Sequence, residues 1–351
     1  MDKVRGLFNS FCGNLFLLLV LVLVRPNLAV AGSVVKFLPG FEGPLPFELE
    51  TGYIGVGESE DVQFFYYFVK SESNPQTDPL LIWLTGGPGC SSIRGLASGI
   101  GPVKFQRVLY DGTLPKLMTN PYSWTKVASM IFLDSPAGTG FSYARTAKAS
   151  QSTDLQASEH NYEFLRKLID NINPEHVLKP TCPDVSRKPN NLFSGRRSTV
   201  ETFYKKFEEL DAATGEKLID YWANDMSVQE ALHVGKALWV GCNHSLPYTR
   251  DAGSVVPYHA NLSTKGYRSL IYSGDYDMIS PYLGTEEWIR SLNYPIIDDW
   301  RQWIHQGQVA GYTRTYANKM TFATGAGHVA PYEKPAECRS MFGRWISYQP
   351  L

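Results

Sequence analysis

An α/β fold on a mostly parallel, doubly wound sheet, interrupted by a helical insertion, follows from three observations in the sequence. Two continuous apolar runs, "PLLIWLTGG" (79–87) and "SMIFLDSPAG" (129–138), end in glycine-rich turns, as strands buried on both faces do. A helical pattern, "DLQASEHNYEFLRKLID" (154–170), follows the second run, and strands alternating with helices indicate parallel crossovers. From 171 to 267 the chain turns polar and rich in Pro, Asn, Ser and Arg, before the apolar pattern resumes at "RSLIYSGD" (268–275), so an insertion divides the sheet-forming sequence.

In order along the chain, residues 1–31 read as a secretory signal peptide. Lys3 and Arg5 precede "LFLLLVLVLV" (15–24), and small residues in "LAVAG" (28–32) offer cleavage near Ala31. The apolar run is short of the about 20 residues that cross a bilayer. Residues 32–170 form the first part of the sheet domain, with a strand at "VQFFYYFVK" (62–70). The helix at 154–170 presents Leu155, Tyr162, Leu165 and Ile169 as its apolar stripe, with Ser152 or Thr153 as cap. Residues 171–267 form a lid with short amphipathic helices such as "VETFYKKFEEL" and "MSVQEALHV". Residues 268–351 complete the sheet domain with a helix at "LGTEEWIRSL", a hairpin from Val309 to Thr324, and a last helix. That helix repeats Cys338, Met341, Phe342 and Trp345 at i, i+3, i+4, i+7, with Pro335 in its first turn.

Lys+Arg 33 against Asp+Glu 34 leaves a formal charge of −1, which excludes the basic field that nucleic acid or an anionic membrane surface demands. Partners are therefore to be sought at a site. Signal cleavage leaves Cys90, Cys182, Cys242 and Cys338, an even number that suits two disulfides in an oxidising compartment and permits three pairings. Their spacing has no metal-binding pattern, and no cofactor is implied. Sequons at Asn243 and Asn261 agree with the secretory route.

Three strand exits carry the chemistry. "GGPGCSS" (86–92) follows "LLIWLT"; such glycines can bare backbone N–H groups for an oxyanion hole, or simply turn the chain. "GDYDM" follows "RSLIYS" and places Asp275 and Asp277 at the end of a strand where α/β sheets bind ligands, although a carboxylate there is often only a cap. "MTFATGAGHVAPYEK" delivers His328 from a glycine turn; a lone histidine is more often structural, but this setting suits a general base. Oxyanion glycines, then Asp, then His is the chain order of an α/β-hydrolase.

The blocks "LIWLTGGPGCSS", "FLDSPAGTGFSYA", "YWANDMSVQEALHV", "LIYSGDYDMISP" and "MTFATGAGHVAPYEKPAEC" resemble the serine carboxypeptidase-like family, most closely its plant branch of peptidases and glucose-ester acyltransferases. The resemblance implies an α/β-hydrolase fold with a helical lid. It assigns Asp277 as triad acid, His328 as base, Gly86 and Gly87 to the oxyanion loop with Thr85 beside the substrate, and disulfides Cys90–Cys338 and Cys182–Cys242. The implied partner is a peptide or acyl-glucose ester substrate; the oligomeric state stays open.

The family's nucleophile motif, G-[DE]-S-Y-[AS]-G, is absent. No G-x-S-x-G occurs in the chain: "GFSYAR" (140–145) comes nearest, and Ser91 and Ser92 lie within the oxyanion loop itself. Between Ile169 and Arg268 the sole candidate for a central strand is "ALWVGC" (237–242). The sheet is therefore expected to lack its nucleophile strand. Thr85 stands where the peptidases have Asn in "NGGPG", and one hydroxyl cannot mimic an amide's two N–H groups, which favours a non-peptide acyl substrate. The expected activity of the parent enzyme is serine-dependent acyl transfer, with this chain inactive. The alternatives are a non-catalytic secreted binding protein or a non-functional truncated splice product. Open sheet edges predict retention in the endoplasmic reticulum, against the family's extracellular or vacuolar destination.

Overall fold

The computed structural model describes residues 32–172, apart from 107 and 109, and residues 217–351. The signal segment, Cys182, "VETFYKKFEEL" and the first part of the lid lie outside the described residues.

The first half is organised by the strand that the aromatic run "VQFFYYFV" forms. Strands β1 (Ser33–Val35), β2 (Leu49–Val56), β3 (Val62–Val69) and β4 (Leu80–Leu84) are followed by helix α1 (Ile93–Ser98), a small β5 (Val103–Phe105) and β6 (Leu117–Thr119) ribbon, β7 (Ser129–Leu133) and β8 (Tyr143–Ala144). Every residue of β3 is buried. Because successive side chains leave a strand on opposite faces, Phe65, Tyr67 and Val69 enter one core with Met130 and Phe132, while Phe64, Tyr66 and Phe68 enter another with Ile131 and Leu133. The strand order is β1-β2-β3-β7-β4, with β8 also against β3. Pairing is antiparallel except for the parallel pair β4–β7.

After the two-residue β9 (Ser152–Thr153) comes helix α2 (Asp154–Ile172); further on are α3 (Met226–Ala231), β10 (Tyr248–Thr249) and α4 (Val256–Thr264). The Thr153 hydroxyl caps α2 by accepting from the Gln156 N–H at 3.2 Å. The buried face of α2 differs from the expected stripe. Leu155 and Tyr162 are 47% and 65% exposed, whereas Ala157, Phe164 and Leu168 are buried. Both faces of this helix carry apolar residues, and the aromatic surface of β3 decides between them: the Phe164 ring sits 5.7 Å from Tyr66 and 6.4 Å from Phe64. "ALWVGC" forms no strand; only Cys242, at its end, makes an isolated bridge.

The second half folds as β11 (Ser269–Ser273), α5 (Tyr282–Ser291), β12 (Ile296–His305), β13 (Gln308–Tyr316), β14 (Met320–Thr324), α6 (Ala330–Glu333) and α7 (Pro335–Ile346). The β13–β14 hairpin was legible in sequence, but β12 was not, because Asp298, Asp299 and three register shifts disrupt its alternation. The order is β11-β14-β13-β12, with β11–β14 parallel and the others antiparallel. Helix α7 joins the two halves. Met341 packs with Trp303 and Ala323 of the second sheet, Phe342 stacks on Trp124 at 3.9 Å, and the Arg339 Nε donates to the Ser123 carbonyl at 3.2 Å.

This is an α/β fold whose sheet is in two pieces. Each piece ends in the apolar strand of a parallel pair, β4 in one and β11 in the other, and among the described residues no strand pairs with the far side of either. Neither is buried as its neighbour is: all five residues of β7 are buried, but none in β4.

Candidate active site

Asp277 and His328, the expected acid and base, come from the exits of the adjacent parallel strands β11 and β14. Gly274 after β11 lies so close to the loop after β14 that a Cβ there would stand 2.3 Å from the Gly327 carbonyl oxygen. A side chain at Gly274 would therefore part the loops carrying Asp277 and His328. The Asp277 Oδ1 accepts from the N–H groups of Ile279 (2.8 Å) and Ser280 (3.1 Å), and its Oδ2 lies 2.9 Å from His328 Nδ1. Burial raises the pKa of Asp277, but the hydrogen bonds from His328, Ser280 and Ile279 outweigh it and hold the carboxyl below its ordinary value. An ionised carboxylate only accepts, so Nδ1 of the neutral imidazole carries its proton. The Nε2 lone pair is left free to take a proton from a nucleophile. The His328 side chain is 49% exposed and that of Asp277 only 6%, a base open to substrate above a sheltered acid.

Glu333 completes this arrangement and was not singled out in the sequence. Its carboxylate accepts from the Gly327 N–H (2.7 Å) and the Val329 N–H (3.2 Å), clamping the backbone on both sides of His328. The available signal was an acidic residue in the short helix that follows the histidine. Asp275, the other carboxylate of "GDYD", lies outside the pair; burial raises its pKa.

The glycine loop after β4 has the conformation that only glycine accommodates, with φ +152° at Gly87 and +102° at Gly89. No hydrogen bond within the described residues holds the N–H of Gly86 or Gly87, as an oxyanion hole requires. The Thr85 hydroxyl is engaged internally, accepting from the Trp83 indole N–H at 3.0 Å and lying 3.3 Å from the Ser92 hydroxyl.

The disulfide expectation is corrected here. Cys90 pairs with Cys242, not with Cys338. The chain at 241–243 returns antiparallel to 89–91, with Ser91 N–H donating to Gly241 and Asn243 N–H to Gly89, both at 2.9 Å, and this brings the two Cα atoms to 3.9 Å. The Cys182–Cys242 pairing is thereby excluded as well. Cys338 is a free, buried thiol beneath Tyr272, Ala326 and Ala330, on the His328 side, its pKa pushed up to about 12 chiefly by burial. Of the sequons, Asn261 is exposed on α4, while the Asn243 side-chain amide donates to the Gly138 carbonyl at 3.0 Å.

Serines near the loop are committed to structure. Ser91 Oγ donates to Asp134 Oδ1 at 2.7 Å, and Ser92 Oγ to the Leu133 carbonyl at 2.6 Å. Ser142 Oγ donates to the Asp134 carbonyl at 2.6 Å and accepts from the Phe65 N–H at 2.7 Å. All three are buried. Asp134, a further residue that the sequence did not mark, gathers this region. Its carboxylate also accepts from the N–H groups of Ser92 (2.8 Å) and Phe141 (3.0 Å). Burial, opposed by hydrogen bonds from Phe141, Ser91 and Ser92, pushes its pKa up to about 6.

A stability prediction follows. Asp134→Ala leaves several buried donors bare, at about 1 to 3 kcal/mol each. With its folded pKa above the unfolded value, Asp134 contributes most below the unfolded pKa, near 4, and progressively less as pH rises through about 6. Denaturant unfolding is therefore expected to give a larger wild-type-to-variant gap at pH 4 than at pH 7. The opposite linkage of Asp277, lost as pH falls through its folded pKa, is common to both proteins and cancels. An equal gap at both pH values would refute the assignment.

An ionised aspartate orienting a histidine at the exits of a parallel strand pair, on a chain that also carries a bare glycine loop, defines the acid–base half of an α/β-hydrolase site. The comparisons with known proteins agree. The family model described as serine carboxypeptidase matches residues 39–175 and 166–348, two pieces that overlap at 166–175. Serine carboxypeptidase-like 2 of Arabidopsis thaliana is 44% identical over 437 positions, covering 98% of this chain and 99% of the relative. Serine carboxypeptidase-like 7 of the same plant is 44% identical over 436, covering 98% and 100%. A solved structure of a prohormone-processing carboxypeptidase from Saccharomyces cerevisiae superposes with a TM-score of 0.66 at 16% identity, over 91% of this chain and 94% of that one, a likeness of fold. The chain belongs to the serine carboxypeptidase family. The match to the first relative runs over 437 positions and takes in 98% of the 351 residues here, about 344, so about 93 of its positions face no residue of this chain.

Proposed function

We propose that this chain is a catalytically silent member of its family: it retains the acid, the base and the oxyanion loop of a serine-dependent acyl transferase or carboxypeptidase, and it lacks the serine. In the parent reaction, His328, oriented by Asp277, takes the proton of a serine that attacks an ester or C-terminal amide carbonyl, while the Gly86–Gly87 loop steadies the oxyanion. The observation that carries the reading is the absence of any G-x-S-x-G sequence, joined to the commitment of Ser91, Ser92 and Ser142 to buried hydrogen bonds. The shortfall of about 93 positions and the family match split at 166–175 support a single excised segment. The internally bonded Thr85 hydroxyl favours an acyl-glucose ester over a peptide as the parent substrate, since it leaves no donor there for a substrate carboxylate. The N-terminal pattern, the sequons and the disulfide support a secretory route with the signal removed.

The purified chain is expected to take up no fluorophosphonate probe at any serine under conditions that label an intact family member completely. Stoichiometric labelling of Ser142, Ser91 or another serine would overturn the proposal.

A further inference from the structure

Helix α4 wears its apolar residues outward. Of its residues only Ser263 is buried. Its inner face meets the second half of the molecule through His259, whose ring stacks on Trp288 at 4.9 Å, and through the Ser263 hydroxyl, which bonds to that of Tyr294. The opposite side carries Val255, Tyr258, Asn261, Leu262 and Lys265. Val255 is 55% exposed, Tyr258 51% and Leu262 48%, and Asn261 and Lys265 are exposed with them. A surface helix ordinarily turns its apolar stripe inward. Here Asn261-Leu262-Ser263, one of the two sequons, stands in the middle of the outward stripe, three residues after Tyr258.

The other sequon is placed differently. Asn243 directly follows Cys242, which is bridged to Cys90. Its backbone N–H donates to the Gly89 carbonyl at 2.9 Å and its side-chain amide N–H to the Gly138 carbonyl at 3.0 Å, while Oδ1 accepts from the Ser245 N–H at 3.0 Å. A glycosylating transferase takes its sequon as a flexible segment of chain entering the secretory lumen. Cys90 lies 152 residues ahead of Cys242, so it is already inside when Cys242 arrives, and closing the bridge fixes Asn243. The nine residues of α4 fall short of the about 12 at which an isolated helix becomes even marginal in water. Its packing partners Trp288 and Tyr294 come later in the chain, so Asn261 enters before its helix has formed.

We propose that Asn261 carries an N-linked glycan and Asn243 does not, and that the first sugar lies against Tyr258. The co-reactant is an oligosaccharide joined to a lipid pyrophosphate. Asn261 Nδ2 loses one proton and bonds to the anomeric carbon; that carbon's bond to the pyrophosphate oxygen breaks, and the lipid pyrophosphate leaves with the electron pair. Helical side chains three apart have Cβ atoms about 5 to 6 Å from each other, which brings the C–H face of the sugar within reach of the Tyr258 ring. A hydrated glycan over Tyr258 and Leu262 covers apolar surface that would otherwise invite association. The inference rests on the secretory route, so its test supplies that route independently.

Residues 32–351, expressed behind a signal peptide of established function in a glycosylating cell, are expected to run as a single glycosylated form that peptide:N-glycosidase shifts to the unmodified mobility. Asn261→Gln should lose the whole shift, and Asn243→Gln should keep it. Because the sugar is added before folding is complete, chains that later misfold are scored as well. Trimming the purified protein to its first sugar should leave its binding of an uncharged hydrophobic dye unchanged. Removing that last sugar should raise the binding, and Tyr258→Ser should cancel the rise. An unglycosylated chain with its signal cleaved, a glycan on Asn243, or a shift that survives Asn261→Gln would overturn the site assignment. Dye binding indifferent to the last sugar would overturn the contact with Tyr258. The native residues 1–31 are tested for translocation in a separate expression, so the secretory reading and this one can fail separately.

Discussion

A chain carrying the segment of the Arabidopsis relative that faces no residue here, inserted at the 166–175 junction, is expected to turn over an acyl ester on the order of 10⁶-fold faster than the chain as it stands. The figure is the usual cost of deleting a triad nucleophile, with the residual rate coming from the oxyanion donors and binding. The expectation rests on the proposed roles of two residues whose geometry is already set: His328 Nδ1 lies 2.9 Å from Asp277, and Glu333 holds the backbone to either side of the histidine. His328→Ala in the restored chain should return the rate to the starting level. The insertion would also supply a strand between β4 and β11, whose far sides pair with no strand among the described residues. Unpaired buried backbone groups cost about 1 to 3 kcal/mol each, against a total stability of about 5 to 15 kcal/mol. Restoration should therefore sharpen thermal unfolding and raise the secreted fraction relative to the unrestored chain, which is expected to be retained in the endoplasmic reticulum. A cooperative, well-secreted restored protein without activity would sink the catalytic argument. Equal sharpness and secretion in the two chains would sink the stability argument.

Replacing both Cys90 and Cys242 by serine is expected to lower the unfolding free energy by up to about 5 kcal/mol. The bridge spans 152 residues of sequence, and the chain-entropy model gives a loop of that length roughly this value before native-state strain is subtracted. The effect should be larger in this chain than a count of contacts suggests, because the bridge ties the glycine loop after β4 to the segment arriving from the lid. Cys338→Ala, by contrast, should cost only the packing of a small buried thiol, about 1 kcal/mol. Denaturant midpoints of the two variants check the contrast, and peptide mapping without reduction checks the pairing. A Cys90–Cys338 peptide, or a double variant as stable as the parent, would refute the assignment.

The Asp277–His328 pair, most of the strands and the absence of a G-x-S-x-G sequence were legible from the sequence, because each is a local pattern. An apolar run ending in glycine, a carboxylate one turn beyond a strand and a histidine flanked by glycines each fit within a dozen residues, and so would a nucleophile motif. Sequence alone thus determined Asp277 and His328 as the pair to examine and β4 and β11 as strands made for a sheet interior. Other features were decided by how distant segments return to one another. Cys90 takes Cys242 because the chain runs back antiparallel beside it. Helix α2 buries Phe164 and leaves Tyr162 in solvent because β3 presents aromatic rings to one side. Asp134 and Glu333 acquire their roles only when donors from separate stretches converge on them. Periodicity reports which residues share a face, but tertiary packing selects the face that is covered. It also decides that β4, patterned as an interior strand, pairs on one side only among the described residues.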